Sequence, residues 1–179
     1  TSVTNIAGTA SGNATIYNAP IFMNSLGFVS FNGSNQYLAT PNLKTYFKSV
    51  NATVQKSFTM SFWVYPTTNT GVLVSELDSQ TPSGGWHATN IELINGVINY
   101  RVWASSNPVT SSPIALNQWH HIALVYDGTS FKGYLNGVLQ GARIYAREIP
   151  TSSQNYAIGA GETTNMGTGA YGTFHLAQF

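Results

Sequence analysis

The chain has 179 residues, a length that favours one domain with a substantial core. Only 7% of the residues are charged and the formal net charge is +1, which excludes the basic surface that nucleic acid or an anionic membrane demands. No cysteine is present, so disulfides and thiolate metal sites are excluded while the redox compartment stays open.

Strand candidates recur at short intervals along the chain. "GFVSF" (27–31) is followed by the turn "NGSN" and by "QYLAT" (36–40). "LKTYFKSV" (43–50) is the nearest approach to a helix, one or two turns at most. In "SFTMSFWVYP" (57–66), Phe58, Met60, Phe62 and Val64 share one face and Thr59, Ser61, Trp63 and Tyr65 the other. Trp63 and Tyr65 make that second face too apolar to be simply wet, so a loop or a partner is expected over it. "GVLVSEL" (71–77), "ATNIELI" (88–94) and "VINYRVWA" (97–104) follow, the last two joined by Asn95-Gly96, a pair suited to a type I′ turn. "WHHIALVYD" (119–127) turns at Asp127-Gly128 into "FKGYL" (131–135), and Asn136-Gly137 turns again into "VLQGARIY". "YAIGAG" (156–161) and "GTFHLAQF" (172–179) close the series. The Ser/Thr/Pro stretch 105–113 is too short for an interdomain linker.

Ten or more strands without helices, in a chain whose polarity comes from 20 Thr, 18 Ser and 17 Asn, predict an all-β, two-sheet sandwich. No run approaches the roughly 20 apolar residues of a membrane helix, so membrane insertion is not expected. The chain starts at Thr1 without signal-peptide regions and stops at Phe179 inside a strand-like run. It reads as one domain, 1–179, excerpted from a longer polypeptide.

Four segments in order, "GFVSFNGSNQYLA", "SFTMSFWVYP", "QWHHIALVYDG" and "YLNGV", resemble the laminin-G-like (pentraxin-type) branch of the concanavalin A-like lectin/glucanase superfamily. The opening "TNIAGTASGNATIYNAPIF" is similar to that family's entrance, with Asn5 where an Asp is usual. The resemblance implies an antiparallel jelly-roll sandwich with a strand after residue 172 and a short tail beyond it. It leaves function open, because members bind glycans, proteins or calcium, hydrolyse polysaccharides, or decorate a larger particle.

The adjacent His120 and His121 invite a metal reading, but neighbours on a strand point to opposite faces and cannot chelate one ion together. One imidazole is expected at the sandwich edge on a backbone partner, the other on the outer face. His87 and His175 lack ligand-spaced partners. In "SELDSQ" (75–80), Glu76 and Asp78 stand two apart, as a carboxylate pair of a retaining glycosidase would. The hydrolases of the superfamily carry Glu-x-Asp-x-(x)-Glu; here Gln80 or Thr81 holds the last position, and an amide cannot protonate a leaving oxygen. A polysaccharide hydrolase is therefore the weakest reading, and no enzyme is expected. With six acidic residues in all, calcium is the one cofactor for which ligands can be named, Asp78 and Asp127, and Asp127 also suits a turn.

Sugar recognition needs an aromatic platform edged by amides and hydroxyls. "SGGWHATN" (83–90) offers Trp86, His87 and Asn90; "RVWASSNPVTSS" (101–112) offers Trp103 and Asn107; "GTGAYG" (167–172) offers Tyr171. Asn13, Asn32 and Asn51 head glycosylation-type triplets, although Asn32 sits in a tight turn. The expectation is a non-catalytic recognition or adhesion module, binding glycans through loop aromatics. It would be extracellular, on a cell surface or a virion surface. The alternative is a structural or decoration domain of a fibre or capsid surface, whose partners are neighbouring protein chains.

Overall fold

A computed structural model describes residues 15–17, 21–23, 27–47, 56–77, 87–103, 105–146, 154–161 and 170–178. In chain order the elements are β1 (Thr15–Tyr17), β2 (Ile21–Met23), β3 (Phe28–Asn32), β4 (Tyr37–Ala39), the short helix α1 (Lys44–Phe47), β5 (Phe58–Pro66), β6 (Gly71–Leu77), β7 (His87–Ile94) and β8 (Val97–Tyr100). They continue with β9 (Val109–Pro113), β10 (His120–Tyr126), β11 (Ser130–Leu135), β12 (Val138–Ile144), β13 (Asn155–Ile158), β14 (Ala160–Gly161), β15 (Ala170–Tyr171) and β16 (Thr173–Ala177).

Two seven-stranded sheets face each other. The first has the order β1-β4-β13-β6-β7-β8-β9 and the second β12-β11-β10-β5-β16-β3-β2, with β14 and β15 pairing separately. Neighbouring strands are antiparallel throughout. This is the expected jelly-roll sandwich. Both Asn-Gly pairs occupy their hairpin turns with positive φ, 50° and 79° at Asn95-Gly96 and again at Asn136-Gly137. Asn32 also takes the expected turn role, its side-chain oxygen accepting from the backbone N–H of Ser34 and Asn35.

The core lies between the sheets. Met60, Phe62 and Val64 of β5 and Ile122, Leu124 and Tyr126 of β10 meet Leu73, Val74, Ile91, Leu93, Ile98 and Tyr100 of the first sheet. The alternation read in "SFTMSFWVYP" is the physical cause: every second residue of β5 enters the core. One contact spans the gap. Tyr100 lies against Gly133 on β11, where a methyl group would collide with its ring, and its hydroxyl donates to the Tyr134 carbonyl at 2.7 Å. Burial pushes that hydroxyl well above the ordinary phenol range.

The strand β9 escaped the sequence. Val109–Pro113 falls in the Ser/Thr/Pro stretch yet pairs with β8 at the edge of the first sheet. An edge strand needs few apolar residues, which hid it. Its Ser112 N–H donates to the side-chain oxygen of Gln140, so β12 of the second sheet is tied to β9 of the first. β8 ends at Tyr100, short of the predicted 104, and Trp103 takes a left-handed φ of 53°.

The outer faces of the two sheets differ. On the first sheet, Tyr37, Ala39, Leu77, Ala157 and Ala160 form a second, smaller buried cluster. Gly161 sits so close over Ser75 that no side chain fits there. Arg101 and Glu92 form an ion pair, both side chains buried. The second sheet is open outward, and its outer face is described below.

If Tyr100 on Gly133 sets the sheet spacing, Gly133→Ala should destabilise by about 1–3 kcal/mol through overpacking. Tyr100→Phe should cost only about 1 kcal/mol, for one hydrogen bond. Urea unfolding midpoints at unchanged slope check both.

Candidate functional site

Three of the residues of β5 and β10 that do not enter the core carry rings, with another just before β10. On β5 these are Trp63 and Tyr65; on β10 His121, with Trp119 just before the strand; β16 and β3 add His175 and Phe28. Register brings them together: His121 pairs with Trp63, and His175 pairs with both Tyr65 and Ser30. Four of the rings close on one another. Phe28 lies 4.8 Å from His175 and 5.8 Å from Trp119, while Tyr65 stacks on His175 at 5.3 Å and meets Trp119 at 5.5 Å. Trp63 and His121 form a T-shaped pair at 5.3 Å.

Polar groups are threaded between these rings. His121 Nε2 is 2.9 Å from Ser61 Oγ and His175 Nδ1 is 3.0 Å from Ser30 Oγ. The indoles of Trp63 and Trp119 nevertheless stay 38% exposed each. Sequence alternation had placed Trp63 and Tyr65 on one face and Trp119 and His121 on another strand's face. What it could not supply is the register that merges them with Phe28 and His175 into one surface. The loop or partner expected over Trp63 is replaced in part by the rings themselves, Phe28 and Trp119 packing over His175 and Tyr65.

The histidine pair behaves as read. His120 turns inward, buried, with Nε2 2.8 Å from the Ala115 carbonyl, and His121 turns outward. The loop candidates scatter. Trp86 and Asp78 lie outside the described residues, as does the side chain of His87. Asn90 was expected on a ligand-facing rim but is fully buried, its amide donating to the Arg101 carbonyl at 3.5 Å; a register irregularity between β6 and β7 at this level draws it in. Trp103 is half-buried and Asn107 exposed in the loop after β8. Tyr171 is not in an open loop: it lies on β15, packed against the outer cluster of the first sheet, its ring 6.3 Å from Tyr37.

The carboxylates also have structural duties. Glu76 is buried on the inner side of the sandwich, within 3.5 Å of the Tyr156 hydroxyl, rather than on an open cleft. Asp127 accepts from Thr129 N–H and Oγ1 and from Ser130 N–H through one oxygen, and from Ser130 Oγ at 2.6 Å through the other. These donors hold its carboxyl far below the usual carboxylate range. Among the described residues, no group of three or more His, Cys, Asp or Glu could hold a metal ion. No helix among them is long and apolar enough to cross a membrane.

A laminin-G-like family model of the concanavalin A-like lectin/glucanases superfamily matches residues 32–177. The chain belongs to this superfamily. Solved structures with the same laminin-G-like sandwich include a mutant of Trypanosoma rangeli sialidase displaying trans-sialidase activity, at 16% identity and a TM-score of 0.65 over 93% of this chain and 26% of that one. Domains LG4-5 of the mouse laminin α1 chain align at 16% identity and 0.59 over 89% and 42%. A heptameric SAP-like pentraxin from Limulus polyphemus aligns at 19% and 0.55 over 84% and 72%. The chain thus spans about a quarter of the sialidase and less than half of the laminin fragment. At these identities the likeness is one of fold. No curated protein matches the sequence.

Two groups of this laminin-G-like domain make its stability depend on pH. Burial pushes the His175 imidazole below its ordinary value. The folded state then binds fewer protons than the unfolded one, so stability should fall as pH drops below about 6.5, and His175→Gln should flatten part of that slope in urea melts. The lowered Asp127 value gives stability that is full above the unfolded aspartate value and lost below it. Asp127→Ala should therefore lower the melting temperature at neutral pH, the gap from wild type narrowing below about pH 3.9.

Proposed function

We propose that the domain is a non-catalytic recognition module, displayed outside the cell or on a particle surface, that binds glycans. The observation carrying this is the pair of partly exposed indoles, Trp63 and Trp119, set among rings and hydroxyls on the outer face of the second sheet. A sugar presents one face of C–H groups and a rim of hydroxyls, and an indole bordered by serine and imidazole complements both. Trp103 with Asn107 offers a second, smaller ring-and-amide set on a loop. A hydrolytic role finds little support, because Glu76 sits inside the sandwich against Tyr156. The sialidase relatives in fold are more than three times longer than this chain's share of them.

The second reading is a structural or decoration domain of a fibre or capsid surface, with the same rings meeting a protein neighbour. Its support is that the rings already pack edge-to-face, as they do in protein interfaces.

A glycan array with the 179-residue chain separates the two. Retention on a defined set of glycans, lost in Trp63→Ala or Trp119→Ala at unchanged circular dichroism, is the expected result. Trp103→Ala measures the share of the loop. A blank array from folded protein shifts the reading to assembly, and release of reducing sugar that disappears in Glu76→Gln would instead restore the hydrolase.

A further inference from the structure

We infer that the ligand of the outer aromatic face is an uncharged oligosaccharide, a disaccharide or longer, laid across β5 and β10 over Trp63 and Trp119; this rests on the glycan reading above. Charge carries the first half of the inference. Among the described residues, Lys44 lies on α1 and Lys56 just before β5, Arg101 is buried against Glu92, and Arg143 lies on β12 with Nη1 donating to the Ala142 carbonyl. Lys132 is on the same outer face, opposite Val125 on β10 and so four residues along that strand from His121. None joins Phe28, Trp63, Tyr65, Trp119, His121 or His175. A carboxylate or sulfate drawn against these rings would lose water without gaining a cation, an unfavourable exchange. The hydrogen-bonding groups at hand, Ser61 with His121 and Ser30 with His175, suit neutral hydroxyls.

Geometry carries the second half. Trp63 pairs with His121, and Trp119 stands two residues along the same face, so the indoles are diagonal neighbours with Cα atoms about 7–8 Å apart. That separation exceeds one sugar ring. A monosaccharide can cover one indole; only a longer chain covers both. The ring patch crosses β10, β5, β16 and β3, roughly 14 Å at strand spacing, which is narrow beside the ~800 Å² per partner of a standard protein interface.

The test is a calorimetric and tryptophan-fluorescence titration of the whole chain with neutral oligosaccharides of increasing length, a sialylated oligosaccharide and a heparin fragment. The neutral glycans retained on the array supply the first series. Binding should strengthen about tenfold or more from monosaccharide to the longer neutral ligands. It should hardly change between ~50 and ~500 mM NaCl, as uncharged contacts are not screened. Trp63→Ala and Trp119→Ala should each weaken it about tenfold, Trp63→Tyr should retain most of it in a variant that keeps a ring for packing, and Lys132→Ala should leave it unchanged. Binding confined to the sialylated or sulfated ligands and weakened by salt would overturn the inference while leaving glycan recognition intact. Equal affinity for monosaccharide and oligosaccharide would overturn the two-indole span. No binding to any glycan by folded protein would instead remove the glycan reading itself.

Discussion

A tyrosine ring laid on a glycine holds the sandwich at its spacing. Tyr100 crosses from β8 to the opposite sheet, finds no side chain at Gly133, and ends on the Tyr134 carbonyl. Packed sheets stand about 10 Å apart, and a core that close-packed tolerates little change in volume. With the distance fixed there, Phe62, Ile122 and Leu124 on one side and Ile91, Leu93 and Ile98 on the other pack into one core. The staple from Gln140 to Ser112 closes the same side of the sandwich at its edge. The inner faces are therefore filled mainly by apolar side chains, with the carboxyl of Glu76 against the Tyr156 hydroxyl among them.

The outer faces then divide the remaining work. The first sheet covers its own, with the small cluster around Leu77 and Ala157 and with Gly161 pressed on Ser75. Among the described residues, the Tyr171 ring on that side is partly buried and lies against Tyr37. The second sheet leaves its outer face to aromatic side chains alternating with small polar ones. A sheet face facing water is ordinarily polar, and rings on it gain by covering one another and by whatever docks on them. This asymmetry leaves the exposed indoles of the described residues on and beside β5 and β10.

Much of this was legible in the chain. Period-two alternation in β5 and β10 and the two Asn-Gly turns define the central strands and their hairpins, because those signals come from the backbone itself. The division of His120 from His121 followed from the same alternation. The outer cluster was only half visible. Trp63, Tyr65 and Trp119 could be assigned to faces, but Phe28 and His175 join them through strands distant in sequence, and pairing partners are not written in a local pattern. β9 was hidden by its Ser, Thr and Pro content. Asn90 was misplaced for a related reason: a register irregularity between β6 and β7 lies at its level, and a single sequence does not announce it.

The edge at β9 has a bearing on how copies of such a domain can be crowded together. An unprotected edge strand is a template on which another chain's strand can grow. Here Ser112 has already given its backbone N–H to Gln140 from the opposite sheet, and Pro113 beside it has none to give. Whichever of the two faces an incoming strand, it has no free donor to offer at that end. Dense display of many copies can then proceed side by side without that margin zipping neighbouring molecules into a continuous sheet.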